Sequence, residues 1–334
     1  MNEEIKRIAI VRLSALGDIV NSAVVLQFIH QQYPHAKIEW ITEEVFSPLL
    51  ANHPLINKTH TVNLKKFKKE KSFSLLLTTI KKLRNLNDFD IVIDMQGLIK
   101  SAIVSRLIGS YTHGFDKNST RESLASCFYK TSSSIPYEDG VVTRNTFLVG
   151  DALKFEITDD MILNKEPIFP VNKTLSIEKN EMKNIAFIIG ASWESKIYPK
   201  EEVVKLCDKL QQNLFIIWGS EEEKLNAEWI CEHSTNTRIA PRLKLDELLS
   251  FLSQMDLVIG NDTGPTHMAW AQNIPSITLL GPTTTRMIYQ TPTNVGIKSP
   301  SEVNILKINK NDFSIKEIPY QTILQKAEEL LNGL

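Results

Sequence analysis

A chain of 334 residues is long enough for two domains, each with its own core. Its 42% hydrophobic and 23% charged residues are those of an ordinary soluble globular protein, and a net charge of −1 excludes a partner held by bulk charge alone. Three cysteines (Cys127, Cys207 and Cys231), an odd number without metal-ligand spacing, exclude a disulfide scaffold and indicate a reduced cytoplasm.

The first seven residues hold no apolar signal region and run directly into a strand. Short apolar runs predict strands at 7–12, 37–42, 59–63, 90–94 and 111–115, and helical periodicity predicts helices at 18–33, 44–51, 72–86, 97–108 and 143–153. Such alternation implies a parallel sheet wound on both faces. Residues 156–182 break the pattern with Pro167, Pro170 and scattered charges. A second series follows: strands at 185–190, 214–218, 237–239, 256–260 and 275–280, and helices at 200–212, 221–232, 245–254 and 265–272. The expected division is a Rossmann-like domain over 1–160, a linker over 161–182, a second Rossmann-like domain over 183–316, and a closing helix at 317–334 that packs back on the first domain. The longest stretch without Asp, Glu, Lys or Arg, 263–285, contains three prolines and two glycines and is no membrane span.

Ligands of such sheets bind at the carboxyl ends of the strands, so the turns there carry the candidate site. Gly260-Asn261-Asp262-Thr263-Gly264-Pro265-Thr266-His267 leaves a buried strand and opens a helix. Its free backbone N–H groups and the helix dipole suit a phosphate: the Thr263 and Gly264 amides would meet a pyrophosphate and His267 would add a donor. The turn after the first strand, Ser14-Ala15-Leu16-Gly17-Asp18, ends on a carboxylate. Asp18 either caps the helix that follows or accepts a proton from an attacking hydroxyl, and the two uses are compatible. Lys196, in the loop Gly190–Lys196, is either a solvated lysine or a cation for a departing phosphate. Glu221, Glu222 and Glu223 either complement a helix dipole or meet ribose hydroxyls.

Asp88-Phe89-Asp90 imitates a metal-binding Asp-x-Asp, but it precedes its strand and so lies at the wrong edge of the sheet. No metal and no cofactor are expected. Residues 58–84 hold nine Lys/Arg against the single Glu70, mostly in the run Lys65-Lys66-Phe67-Lys68-Lys69-Glu70-Lys71. With Arg121 and Arg144, this charge would suit an acidic acceptor or an anionic membrane surface. Nucleic acid is not expected, because no base-stacking aromatic cluster accompanies the lysines.

Four separated stretches carry a family resemblance: Val11-Arg12-Leu13-Ser14-Ala15-Leu16-Gly17-Asp18, Asp94-Met95-Gln96-Gly97-Leu98-Ile99-Lys100-Ser101-Ala102, Arg121-Glu122-Ser123-Leu124-Ala125-Ser126, and Asp262-Thr263-Gly264-Pro265-Thr266-His267. On these the chain resembles the bacterial lipopolysaccharide heptosyltransferases over essentially its full length. The middle two stretches look particular to the member that adds the first heptose. The resemblance implies a GT-B fold, with two Rossmann-like doubly wound domains facing across a cleft. It also implies an inverting, metal-independent transfer from ADP-heptose to the Kdo sugar of Kdo-lipid A.

By the same resemblance Asp18 matches the general base, Lys196 and Ser192 the donor-phosphate contacts, and Asp262 a donor-sugar contact. Thr263, Gly264 and His267 match the pyrophosphate loop, and Glu221 or Glu222 the ribose carboxylate. Lys65, Lys66, Lys68 and Lys69 match a basic acceptor loop and Arg121 an acceptor-side arginine, joined on that side by Ser14, Gly17 and Gln96. A monomer is implied, cytoplasmic and peripheral on the inner membrane of a Gram-negative bacterium. Departures are Ala191 where threonine is common, Ile197-Tyr198 in place of a His-Trp pair, and lysines for arginines in the acceptor loop. Competing readings are a later heptosyltransferase, a non-catalytic nucleotide-sugar binding module, and a dehydrogenase, the last opposed by the lack of a Gly-x-Gly-x-x-Gly turn after residue 12.

Overall fold

A computed structural model describes residues 5–64, 66, 73–86, 88–171, 177 and 181–333. The chain divides into two compact units, Met1–Pro170 and Val171–Leu334.

The first unit is built on β1 (Arg7–Val11), β2 (Lys37–Glu43), β3 (Lys58–Val62), β4 (Ile91–Asp94), β5 (Thr112–Phe115) and β6 (Thr131–Ser133), in the order β3-β2-β1-β4-β5-β6 with every pair parallel. β1 lies at the centre because Ile8, Ala9, Ile10 and Val11 form an unbroken apolar run, and all four are 0% exposed. Helices Leu16–Ser22, Val25–Gln32, Phe73–Arg84, Ile99–Ile108 and Val141–Leu153 accompany the sheet. One helix was expected over 18–33; there are two, with Ala23 and Val24 between them. The first begins at Leu16 because Asp18 bonds back to the Ala15 amide within the opening turn.

The second unit repeats the design with β7 (Asn184–Ile188), β8 (Asn213–Ile217), β9 (Thr237–Ile239), β10 (Leu257–Asn261), β11 (Ser276–Leu280) and β12 (Asn294–Lys298), ordered β12-β11-β10-β7-β8-β9 and wholly parallel. Counted within the unit, this is again the 3-2-1-4-5-6 arrangement of a doubly wound sheet. The order therefore reverses between β1 and β4 and between β7 and β10. Ligands are bound outside the strand ends at such a reversal.

The sequence missed both β6 and β12. Each is a short edge strand, and β6 is Thr131-Ser132-Ser133, with no apolar run to reveal it. His113 on β5 instead bonds Thr131 Oγ1 at 2.8 Å and Ser133 Oγ at 2.7 Å, so polar contacts fix that edge.

The expected domain limits also move. Ile168 and Phe169 are buried and the Ile168 carbonyl meets His53 Nε2 at 2.7 Å, so the segment to Pro170 belongs to the first unit. Much of the rest of the expected linker lies outside the described residues. The closing helix, Tyr320–Asn332, does not pack back on the first domain as expected; its apolar stripe of Ile323, Ala327 and Leu330 enters the core of the second unit beside Leu206, Cys207 and Ile315. No described helix is long and apolar enough to cross a membrane.

Candidate active site

At the reversal of the first sheet the chain leaves β1 through Arg12, which is 8% exposed. Its Nη1 donates to the Met95 carbonyl, just beyond β4, and its Nη2 meets Asp18 Oδ1 at 2.8 Å. Asp18 Oδ2 accepts from the Ala15 amide at 3.1 Å. Asp18 is thus the third residue of its helix, not the cap before it. Both oxygens are oriented, and each keeps a lone pair for a further donor. The side chain remains 26% exposed, so a ligand hydroxyl has access to it.

Gln96 ties this turn to the one after β4. Its Oε1 accepts from the Leu13 amide at 3.0 Å and its Nε2 donates to Ser14 Oγ at 3.3 Å, while Lys100 Nζ reaches the same hydroxyl at 3.3 Å. Beneath them Asp94 is fully buried and takes bonds from the Gln96 and Gly97 amides and from the Tyr129 hydroxyl. Burial pushes the Asp94 carboxyl up despite those donors. Gly97 sits at φ 67°, where a side chain would be strained, and its carbonyl accepts from Thr120. Glu122 Oε2 holds the Ile99 amide at 2.8 Å. Arg121, exposed between these two anchors, therefore lies against the turn after β4.

Ser14, Gly17, Asp18, Gln96 and Arg121 thus belong to turns joined by direct bonds. Arg144 does not serve as a surface cation: it is 5% exposed, donates to the Ser119, Ile135 and Pro136 carbonyls and packs on Phe115 and Tyr137. Lys66 is exposed just past β3, and Lys65, Lys68 and Lys69 lie outside the described residues. Asp90 Oδ2 accepts from the Lys6 and Arg7 amides at 2.7 and 2.8 Å, at the opposite edge of the sheet.

The reversal of the second sheet holds a buried ionic cluster. Lys196 Nζ lies 2.7 Å from Asp262 Oδ2 and His267 Nε2 lies 3.1 Å from Asp262 Oδ1, with the three side chains 7%, 4% and 2% exposed for Lys196, His267 and Asp262. Burial works against the Asp262 anion, but the Lys196 charge and then His267 outweigh it and hold the carboxyl well below the usual range. Asn261 staples the two turns together. Its Nδ2 donates to the Ile189 carbonyl at 2.8 Å and its Oδ1 accepts from the Tyr198 amide at 3.1 Å. Gly260 permits the close approach: a Cβ there would stand 2.6 Å from Thr266 Oγ1 and 2.8 Å from Ile188 Cβ.

Helix Gly264–Ala271 starts at Thr263 without a side-chain cap. Its first-turn amides and dipole therefore remain available to an anion. Lys196 also lies over the Trp193 ring, 4.9 Å from its centroid, and Lys310 stands 5.1 Å from the same centroid. Ser192 is exposed in this loop. Glu221 and Glu222 are exposed at their helix start, where Glu221 pairs with Arg242 at 3.3 Å. The carboxylate that reaches the end of β7 is Glu223, which accepts from the Gly219 amide at 2.6 Å and completes a capping box with Ser220.

Sequence reasoning missed Arg12, Asn261 and Lys310 as partners in these clusters. For Arg12 a signal existed: a lone cation directly follows four apolar strand residues and precedes Leu13.

Two sheets of this order, with a buried Lys196–Asp262–His267 cluster beside an uncapped helix start on one and an oriented carboxylate on the other, are those of a GT-B glycosyltransferase. Residues 76–312 match glycosyltransferase family 9 (heptosyltransferase), and the chain belongs to that family. It is 40% identical to lipopolysaccharide heptosyltransferase 1 of Campylobacter coli, over 97% of this chain and 98% of that one. Identity to lipopolysaccharide heptosyltransferase 1 of Escherichia coli K12 is 26%, over 97% and 100% of the two chains. The solved structure of E. coli heptosyltransferase WaaC with ADP-2-deoxy-2-fluoro heptose shares the fold at a TM-score of 0.78 and 24% identity, over 97% of this chain and 99% of that one. The chain is a heptosyltransferase of lipopolysaccharide core synthesis, which sets aside the binding-module and dehydrogenase readings.

Proposed function

We propose that this enzyme adds the first heptose of the inner core, moving it from ADP-L-glycero-D-manno-heptose to the Kdo residue of Kdo-lipid A in one inverting, metal-independent displacement. The acceptor oxygen attacks the anomeric carbon and its proton passes to Asp18. The bond from that carbon to the diphosphate breaks with its electron pair, and ADP leaves. Lys196 has three N–H groups, of which one faces Asp262; the others, with the Thr263, Gly264 and His267 region, meet the developing phosphate charge in place of a metal ion. Glu221 or Glu222 takes the ribose, Ser192 assists at the phosphates, and Arg121, Gln96, Ser14, Gly17 and the basic loop from Lys65 to Lys69 receive the acidic acceptor.

The buried Lys196–Asp262–His267 cluster beside an uncapped helix start carries this reading. The first-heptose assignment is supported by relatives named heptosyltransferase 1 that align end to end. The enzyme acts as a monomer, peripheral on the cytoplasmic face of the inner membrane, where a lipid-linked acceptor lies. Purified protein with ADP-heptose and either Kdo-lipid A or heptosyl-Kdo-lipid A, followed by mass spectrometry, tests it. Heptose should appear on the first acceptor only. Transfer to the heptosylated acceptor alone would reassign the enzyme to a later step.

A further inference from the structure

Helix Ile99–Ile108 buries Ser101, Ala102, Val104, Ser105 and Ile108 and turns Lys100, Ile103 and Arg106 outward at a spacing of three. The 3₁₀ turn Ser123–Phe128 packs along this helix, burying only Ala125. Residues three apart eclipse in such a turn, so exposed Leu124 and Cys127 share its outer side. Leu124 is 67% exposed, Ile103 41% and Tyr111 38%: three large apolar side chains left exposed on one small region among the described residues. Cations are interleaved with them. Lys130 lies over the Tyr111 ring at 5.4 Å, Arg106 borders Ile103, and Arg121 precedes Leu124. Between 99 and 111 there is no acidic residue, and between 121 and 130 the only one is Glu122, which holds the Ile99 amide.

We infer that this face of the first unit is where the enzyme rests on an anionic lipid bilayer. Leu124, Ile103 and Tyr111 enter the headgroup layer while Arg106 and Lys130 meet lipid phosphates. Apolar side chains ringed by cations are what an interfacial element needs: partitioning supplies depth and charge supplies preference for anionic lipid. The face is continuous with the acceptor turn, because Lys100 at one end of the stripe bonds Ser14 Oγ. A headgroup rising from the bilayer at that end meets the turn that holds Asp18. The inference rests on the proposal of a lipid-linked acceptor and adds the surface that presents it.

The test is flotation of the full chain with vesicles of phosphatidylcholine alone or with roughly 30 mol% phosphatidylglycerol. The protein should float with the anionic vesicles only, less so at high salt. Leu124→Glu and Lys130→Glu should each weaken binding by about tenfold, while Leu306→Glu, on an exposed residue of the second unit, should not. ADP release with a Kdo acceptor stripped of its acyl chains should be unchanged in all three. Three results would overturn the inference: equal binding to neutral vesicles, full binding by Leu124→Glu, or a wild-type dimer that Leu124→Glu separates without any vesicle binding. Vesicle binding with no transfer to any Kdo acceptor would strike the proposed acceptor and leave the surface standing.

Discussion

Replacing Lys196 with Met keeps most of the apolar stem and removes the ammonium, leaving Asp262 buried beside His267. At the 2.7 Å separation of the pair, an effective dielectric near 20 gives a gross attraction of about 6 kcal/mol. Desolvation offsets part of that, and breaking a buried pair by removing one partner costs about 3–5 kcal/mol. With a urea slope of about 2 kcal/mol/M, the second unit should unfold about 2 M earlier at pH 7.5. Tryptophan fluorescence isolates that transition, since Trp193, Trp218, Trp229 and Trp270 lie in the second unit and Trp40 alone in the first.

The sign of the pH dependence separates this account from simple loss of packing. In the native protein the Asp262 carboxyl is held low, so its contribution is present above the ordinary carboxylate range and lost as pH falls below it. Without Lys196 the largest lowering influence is gone and burial pushes the carboxyl up. The variant then carries a penalty at neutral pH that protonation relieves, and its deficit should shrink between pH 7.5 and about 4.5. Adding Asp262→Asn should restore most of the stability, with a coupling of about 3 kcal/mol. The double variant should still lose about 100-fold in rate, because in the proposed mechanism the ammonium also meets the departing diphosphate. An unfolding midpoint within about 0.5 M of wild type, or a deficit constant with pH, would refute the reasoning.

Asp18→Asn should bind ADP normally by calorimetry while turnover falls by roughly 100- to 10,000-fold; near-normal turnover would remove Asp18 from the base role. Arg12→Leu frees Asp18 Oδ1 and should lower kcat by about 10- to 100-fold with the donor Kd unchanged, read by ADP release alongside calorimetry. Gly190→Ala puts a Cβ 2.4 Å from Glu223 Oε1 and should displace that carboxylate from its cap. Thermal unfolding should show a loss of about 1 kcal/mol that disappears when Glu223→Ala is already present.

What was legible in the sequence was whatever a strand–turn–helix junction announces locally. Gly260 through His267 and Ser14 through Asp18 stand at the ends of apolar runs, and both lie where the strand order reverses. What stayed hidden depended on partners far along the chain. Arg144 reads as one more surface cation, yet three carbonyls and two aromatic rings enclose it. Asn261 is one polar residue in a small-residue turn until β7 and β10 are neighbours, when its amide becomes the staple between them. The closing helix shows its apolar stripe plainly but cannot say which core will take it.

Each reversal point carries an aspartate, and their surroundings decide which one an incoming hydroxyl can reach. Asp262 is 2% exposed with a cation against one oxygen and an imidazole against the other, and its proton affinity is suppressed. A base held that low gives little driving force for proton transfer at neutral pH. Its place is to fix Lys196 and His267 beside the helix start. Asp18 has its geometry set by Arg12 and the Ala15 amide, yet it stays 26% exposed with lone pairs to offer. One carboxylate is consumed in arranging positive charge; the other is positioned and left open, which is why the proposed mechanism gives the proton of the attacking hydroxyl to Asp18.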